Sequence, residues 1–167
     1  ATREAPISLA RPTAAVAELA PPRIAPPVFL EDLKQRSFRF FWDTTDARTG
    51  LAPDRWPARS SASIGAVGFA LTAYPIGVAR GWITREQARD RALATLRFFR
   101  DAPQGPEATG VAGHKGFFYH FIDMASGTRS GDCELSTIDT ALLLAGALHV
   151  QSYFDGTDEQ EAQIRAI

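Results

Sequence analysis

Charged and apolar positions alternate along this chain in blocks. From Leu30 to Thr44 charge is frequent (Glu31, Asp32, Lys34, Arg36, Arg39, Asp43), whereas 63–80 carries Arg80 alone. Residues 84–101 are again charge-rich, 136–153 hold only Asp139, and 157–167 return to a mixed pattern. A helix that is apolar all round is buried, while an amphipathic one lies on a surface. The pattern therefore predicts five helices in the order outer, inner, outer, inner, outer, with 63–80 and 136–153 inside.

Local signals fix several boundaries. Thr84 with Gln87 forms a capping box, and Ser136 with Asp139 and Thr157 with Gln160 give similar helix starts. Ala88, Ala92, Leu96 and Phe99 fall on one helical face. Pro75 is expected to kink the first inner helix or divide it after Tyr74. Gly65 and Gly68, with Ala66, Ala70 and Ala73, permit close helix approach.

The connections alternate as well. Those after outer helices are long (45–62 and 102–135), and those after inner helices are short (81–83 and 154–156). In an up-down arrangement the long loops gather at one end, where the inner helices begin. Loops longer than about 12–15 residues inside compact domains are either functional or disordered. These two hold Trp56, Phe117, Phe118, Tyr119 and Phe121 and many glycines, which favours function. Lys115–Ile122 reads as a strand and Ala125–Thr128 as a turn, so a small β-hairpin is expected within 102–135. Residues 1–29 read as a Pro/Ala-rich leader without aromatics before Phe29, a short helix at 13–20 being the competing reading. The domain is then 30–167. Two and a half helix pairs cannot close a ring, so an open array would leave apolar helices uncovered, and the domain is expected to continue past Ile167.

The chain has 167 residues, 45% of them apolar, and a formal net charge of −1. That suffices for one core and offers no electrostatic footprint for nucleic acid. The lone cysteine, Cys133, excludes an internal disulfide and a cysteine-rich zinc site. No apolar run is long enough to span a membrane as a helix.

Candidate chemistry lies in carboxylates on the long-loop side: Asp54, Glu107, Asp123, Asp132, Glu134 and Asp139. Cleaving a glycosidic bond needs one protonated carboxyl group and one ionised one. Glu134 lies just before an inner helix, whose positive end favours its ionised form, or else it is a solvated loop residue. Asp139 is either a site carboxylate or a plain capping residue. Asp54–Arg55 is a surface ion pair or a sugar-binding pair. His114 and Lys115 are solvated or engaged, His149 reads as a core histidine, and His120 either faces a cleft or packs. The glycine-rich stretch Gly105–Gly113 lacks the ending of a phosphate loop. Flat rings beside hydrogen-bonding groups suit sugars, and they equally suit hairpin packing.

Phe38–Asp43, Ser63–Gly77, Ala102–Gly105, Gly113–Phe121 and above all Glu134–Gly146 resemble the bacterial glucoamylase-like family. That family includes endo-β-1,2-glucanases and related domains of cyclic β-1,2-glucan synthases. The resemblance runs from about Leu30 to Ile167. It implies an all-α fold, an (α/α)6 barrel with a glycan cleft at one end, represented here by its incomplete N-terminal part. It also implies β-glucan hydrolysis by an acid/base carboxylate pair, with no metal and no other cofactor. Carried onto this chain, the motif reaches Glu134, Asp139 and Asp132 as catalytic candidates. Arg55, Trp56, Lys115, Tyr119 and His120 are the expected sugar contacts. The expected partners are an oligo- or polysaccharide, with β-1,2-glucan foremost, and the rest of the barrel; the expected location is periplasmic or secreted. A non-catalytic glycan-binding or scaffold domain and a transglycosylating domain of a larger glucan synthase are the alternatives.

Overall fold

A computed structural model describes residues 26–167; the leader reading and the helix at 13–20 fall almost wholly outside that range. Five helices dominate: α1 (Pro26–Thr44), α2 (Ile64–Ala79), α3 (Arg85–Asp101), α4 (Thr137–Tyr153) and α5 (Glu159–Ala166). Four two-residue strands accompany them: β1 (Ala62–Ser63), β2 (Gly113–His114), β3 (Phe117–Phe118) and β4 (Phe121–Ile122). β2 and β3 form the expected hairpin, but its turn is Lys115–Gly116, with both residues at positive φ. That two-residue turn matches strand twist, which is why glycine follows lysine there. β4 pairs with β1, stitching the second long loop to the start of α2. The chain then reverses at 123–128, where Asp123 Oδ1 accepts from the amides of Ala125 and Ser126.

The inner helices α2 and α4 pack directly on each other. A Cβ at Gly68 would strike the backbone of Leu142, and one at Gly146 would strike the backbone of Gly68. Two glycines thus let the helices meet backbone to backbone. α1 and α3 pack outside α2, and α5 packs against α3 and α4. The core runs between these layers through Phe38, Val67, Leu71, Tyr74, Ala92, Leu96 and Leu143. This is an arc of an α/α barrel.

Several expectations change. α1 begins by Pro26, ahead of the expected Leu30. Pro75 neither breaks nor divides α2, which runs through it; the ring is buried and surrounding packing sustains the helix past the missing N–H. Asp158, not Thr157, caps α5, because its carboxylate accepts from the amides of Gln160 and Glu161. His149 is exposed rather than in the core. The inner helices are covered on one side only: Phe69 and Ile76 on α2 and Ile138, Leu144 and Leu148 on α4 are exposed.

Candidate active site at the start of the inner helices

Two serine caps build the floor of the site. Ser63 caps α2 by accepting from the Ala66 amide, and Ser136 caps α4 by accepting from the Asp139 amide at 3.1 Å. The strand segment 118–122 crosses both helix starts. Ile64 N–H donates to the His120 carbonyl, His120 N–H to the Glu134 carbonyl, and Ser136 N–H to the Phe118 carbonyl. Phe118 N–H donates to Thr140 Oγ1 at 3.0 Å, pinning the strand to the first turn of α4. Residue 120 is therefore held between the positive ends of two helices, where negative charge is favoured.

His120 joins the two carboxylates singled out by the sequence. Its Nδ1 lies 3.0 Å from Glu134 Oε1 and its Nε2 lies 3.4 Å from Asp139 Oδ2. Ser136 Oγ donates to the same Asp139 oxygen at 2.7 Å. The Phe121 ring stacks on the imidazole with centroids 4.0 Å apart. The carboxylates differ in surroundings: Glu134 keeps 69% of its side-chain surface in solvent and Asp139 18%. Glu134 titrates below the usual carboxylate range, first because its own backbone N–H bonds the carboxylate and next because His120 does. The capping alternative for Asp139 holds for its backbone. Its amide belongs to the cap, while its carboxylate faces the histidine.

The other expected site residues are dispersed around this centre. Asp132 is exposed two residues before Glu134. Arg55 donates to Asp54 at 2.9 Å and both are exposed, which is the surface-pair geometry. Trp56 stands 67% exposed in the loop closed by Asp54 N–H to Ser61 O, just before β1. Lys115 sits at the exposed tip of the β2–β3 turn. Tyr119 departs from expectation, because it is buried beneath the Arg129 guanidinium, 4.6 Å from the ring centroid. It supports the loop rather than lining a surface. Arg129 itself was not legible as a site residue. It donates to the carbonyls of Cys133 and Ala108 and so holds the Glu134 segment against the rest of the long loop. Asp123 is taken up by its turn.

A cavity of about 580 Å³ lies elsewhere, between α1 and α2, lined by Leu33, Phe38, Phe41, Phe69, Ile76 and Trp82 among others. It contains no carboxylate and marks an open packing edge. Among the described residues, no group of three or more His, Cys, Asp or Glu side chains is arranged to hold a metal ion. No described helix is long and apolar enough to cross a membrane.

No family model matches the chain. An exo-β-1,2-glucooligosaccharide sophorohydrolase acting at the non-reducing end, from Parabacteroides distasonis, is 30% identical over 142 residues. That match covers 81% of this chain and 18% of the relative, so the chain spans about a fifth of the curated relative's length. A crystal structure of a glucoamylase candidate from Bacteroides uniformis superposes with a TM-score of 0.72 at 26% identity, over 86% of this chain and 34% of that one. A β-1,2-glucanase structure from Parabacteroides distasonis gives 0.71 at 29% identity, over 82% of this chain and 19% of that one. The chain is thus similar in sequence and in fold to glucoamylase-like glycoside hydrolases, including enzymes that act on β-1,2-glucan.

Proposed function

We propose that this chain supplies the cleaving end of a glycoside hydrolase acting on β-glucan, with β-1,2-linked glucan as substrate. The observation that carries the reading is the His120-bridged pair Glu134 and Asp139 at the start of the inner helices. Hydrolysis needs two carboxyl groups in unlike protonation states, and unlike environments supply that difference. Glu134, open to solvent and held ionised, suits the role of the charged partner; Asp139, recessed behind Ser136 and His120, suits the proton-donating side. Asp132 is a reserve carboxylate on the same loop. Trp56, Arg55 and Lys115 act as rim contacts for sugar, and His120 bridges the two carboxylates. Further helices of the same protein cover the apolar sides of α2 and α4 and complete the cleft. The protein works in the periplasm or outside the cell, where polymeric glucan is met; fractionation of the native host tests that.

The test is turnover of linear β-1,2-glucan by the full-length protein, with Glu134→Gln and Asp139→Asn alongside. Each variant should lose about 10²-fold or more in kcat, the usual worth of a positioned acid or base. Unchanged rates in both remove this pair from the chemistry. Saturable oligosaccharide binding without any product supports a scaffold role, and products carrying new glycosidic bonds support transglycosylation.

A further inference from the structure

The hydrogen-bonding capacity of His120 limits where protons can sit between its two carboxylates. A neutral imidazole has one N–H donor and one bare nitrogen, and an ionised carboxylate accepts only. Nδ1 lies at hydrogen-bond distance from Glu134 Oε1, so its N–H points there. Nε2 then faces Asp139 Oδ2 at 3.4 Å, and in a neutral ring beside an ionised carboxylate two lone pairs would oppose each other. A proton in that gap removes the conflict, whether it rests on Nε2 or on Oδ2. Asp139 Oδ2 also accepts the Ser136 hydroxyl, which orients the carboxylate toward Nε2.

We infer that His120 and Asp139 together store the proton delivered to the glycosidic oxygen, while Glu134 stays ionised on the other side of the ring. The inference rests on the hydrolase reading above and assigns the acid within it. The groups facing the imidazole support a self-contained unit. α4 and its leading segment bring Asp139, Ser136 and Glu134, and β4 brings the uncharged Phe121. α2 brings the Ile64 N–H to the His120 backbone carbonyl and Gly65 beside the Asp139 carboxylate, neither of which titrates. Glu134 and Asp139 are the ionisable groups within ion-pair distance of His120 among the described residues.

The step balances. One proton passes from the His120–Asp139 pair to the leaving oxygen as the bond from C1 to that oxygen breaks. Water adds to C1, its remaining proton goes to the Glu134 carboxylate, and the products are two free hydroxyl groups. Glu134 then releases its proton to solvent, and the histidine–aspartate pair takes one back. His120 acts through Asp139 in this scheme and is a positioning residue for the proton.

The experiment compares two substrates on the full-length protein: β-1,2-glucan, whose leaving alcohol needs a proton, and a 2,4-dinitrophenyl β-sophoroside, whose phenolate does not. His120→Gln and Asp139→Asn should each lose about 10²-fold in kcat on the glucan, with KM within about twofold. On the activated substrate both should stay within about fivefold of wild type, and the alkaline limb of the glucan profile should shift in His120→Gln. Glu134→Gln should lose activity on both. Equal losses on both substrates for His120→Gln and Asp139→Asn, with thermal midpoints unchanged, overturn the inference and leave the hydrolase reading standing. Wild-type rates on glucan in both variants do the same. Should His120→Gln fail to fold, Asp139→Asn decides alone. A wild-type protein that cleaves neither substrate overturns the hydrolase reading and this inference with it.

Discussion

A Cβ placed on Gly65 would lie 2.6 Å from Asp139 Oδ1, and the next atom it meets, the Asp139 carboxyl carbon, is 3.5 Å away. Only the tip of a short side chain is in the way, so Gly65→Ala is resolved by rotating Asp139, at small cost to the fold. That rotation takes the carboxylate from Ser136 Oγ and His120 Nε2, the contacts that orient it. In the full-length protein, Gly65→Ala should lower kcat on β-glucan by about tenfold or more, since small misplacements of a reacting group are expensive. Its thermal midpoint should fall only by a few degrees. Steady-state kinetics beside a thermal melt check this; a large loss of midpoint with little loss of rate would show the opposite balance. The glycine was legible in the sequence as a packing residue, but the side chain it makes room for was not.

At the level of elements, the same residue type has a different consequence. At Gly68 and Gly146 the obstacle is backbone, and backbone cannot rotate away. Gly68→Ala or Gly146→Ala must push α2 and α4 apart, at about 1–3 kcal/mol as for other overpacked sites; chemical denaturation measures it. A second link joins the outer helices. Arg85 of α3 makes a two-pronged pair with Glu161 of α5, at 2.7 and 2.9 Å, and its guanidinium lies over the rings of Tyr153 and Phe154. Glu161 is nearly buried, and Arg85 with the Gly156 amide holds its carboxyl below the ordinary range. A depressed carboxyl stabilises the fold above its unfolded pKa, near 4.5, and that contribution disappears as pH falls through the folded value. Stability from this pair should therefore be full at neutral pH and vanish in acid. Arg85→Met should cost about 2 kcal/mol at pH 7, less than for a fully buried pair because Arg85 keeps a third of its side chain in water. The cost should shrink toward pH 3, as paired denaturation curves would record. Charge blocks made the helix layers readable, because a helix's surroundings act on every residue of it. The Glu134–His120–Asp139 contact was less readable, since it depends on the pairing of Tyr119 with Leu135, a register set by backbone bonds between distant loop residues. For a related reason α2 is not divided at Pro75: the local cost was plain in the sequence, and the packing that offsets it was not.

Across the whole molecule, the inner layer is apolar on two sides and covered on one. Phe69 and Ile76 look out from α2, and Leu144 and Leu148 from α4, each at least half exposed. A monomer rarely carries so much apolar surface uncovered. The two solved relatives are about three and about five times the length of the segment each matches here, which is room for the helices that would cover it. The charge-poor sequences of α2 and α4 predict an inner layer; the two helices do pack on each other, with α1 and α3 outside α2, but this stretch of chain leaves one side of both uncovered. The expected cover has a direct energetic consequence. Leu148→Asp or Phe69→Asp in the full-length protein would place an unpaired carboxylate in a buried apolar seam, and should cost about 3 kcal/mol or more. The same change at Arg36, exposed on α1, should stay within about 0.5 kcal/mol. Urea unfolding of the three variants separates the cases. If Leu148→Asp and Phe69→Asp prove as mild as Arg36→Asp, both faces meet solvent in the whole protein, and the closed cleft proposed for glucan is not built on α2 and α4.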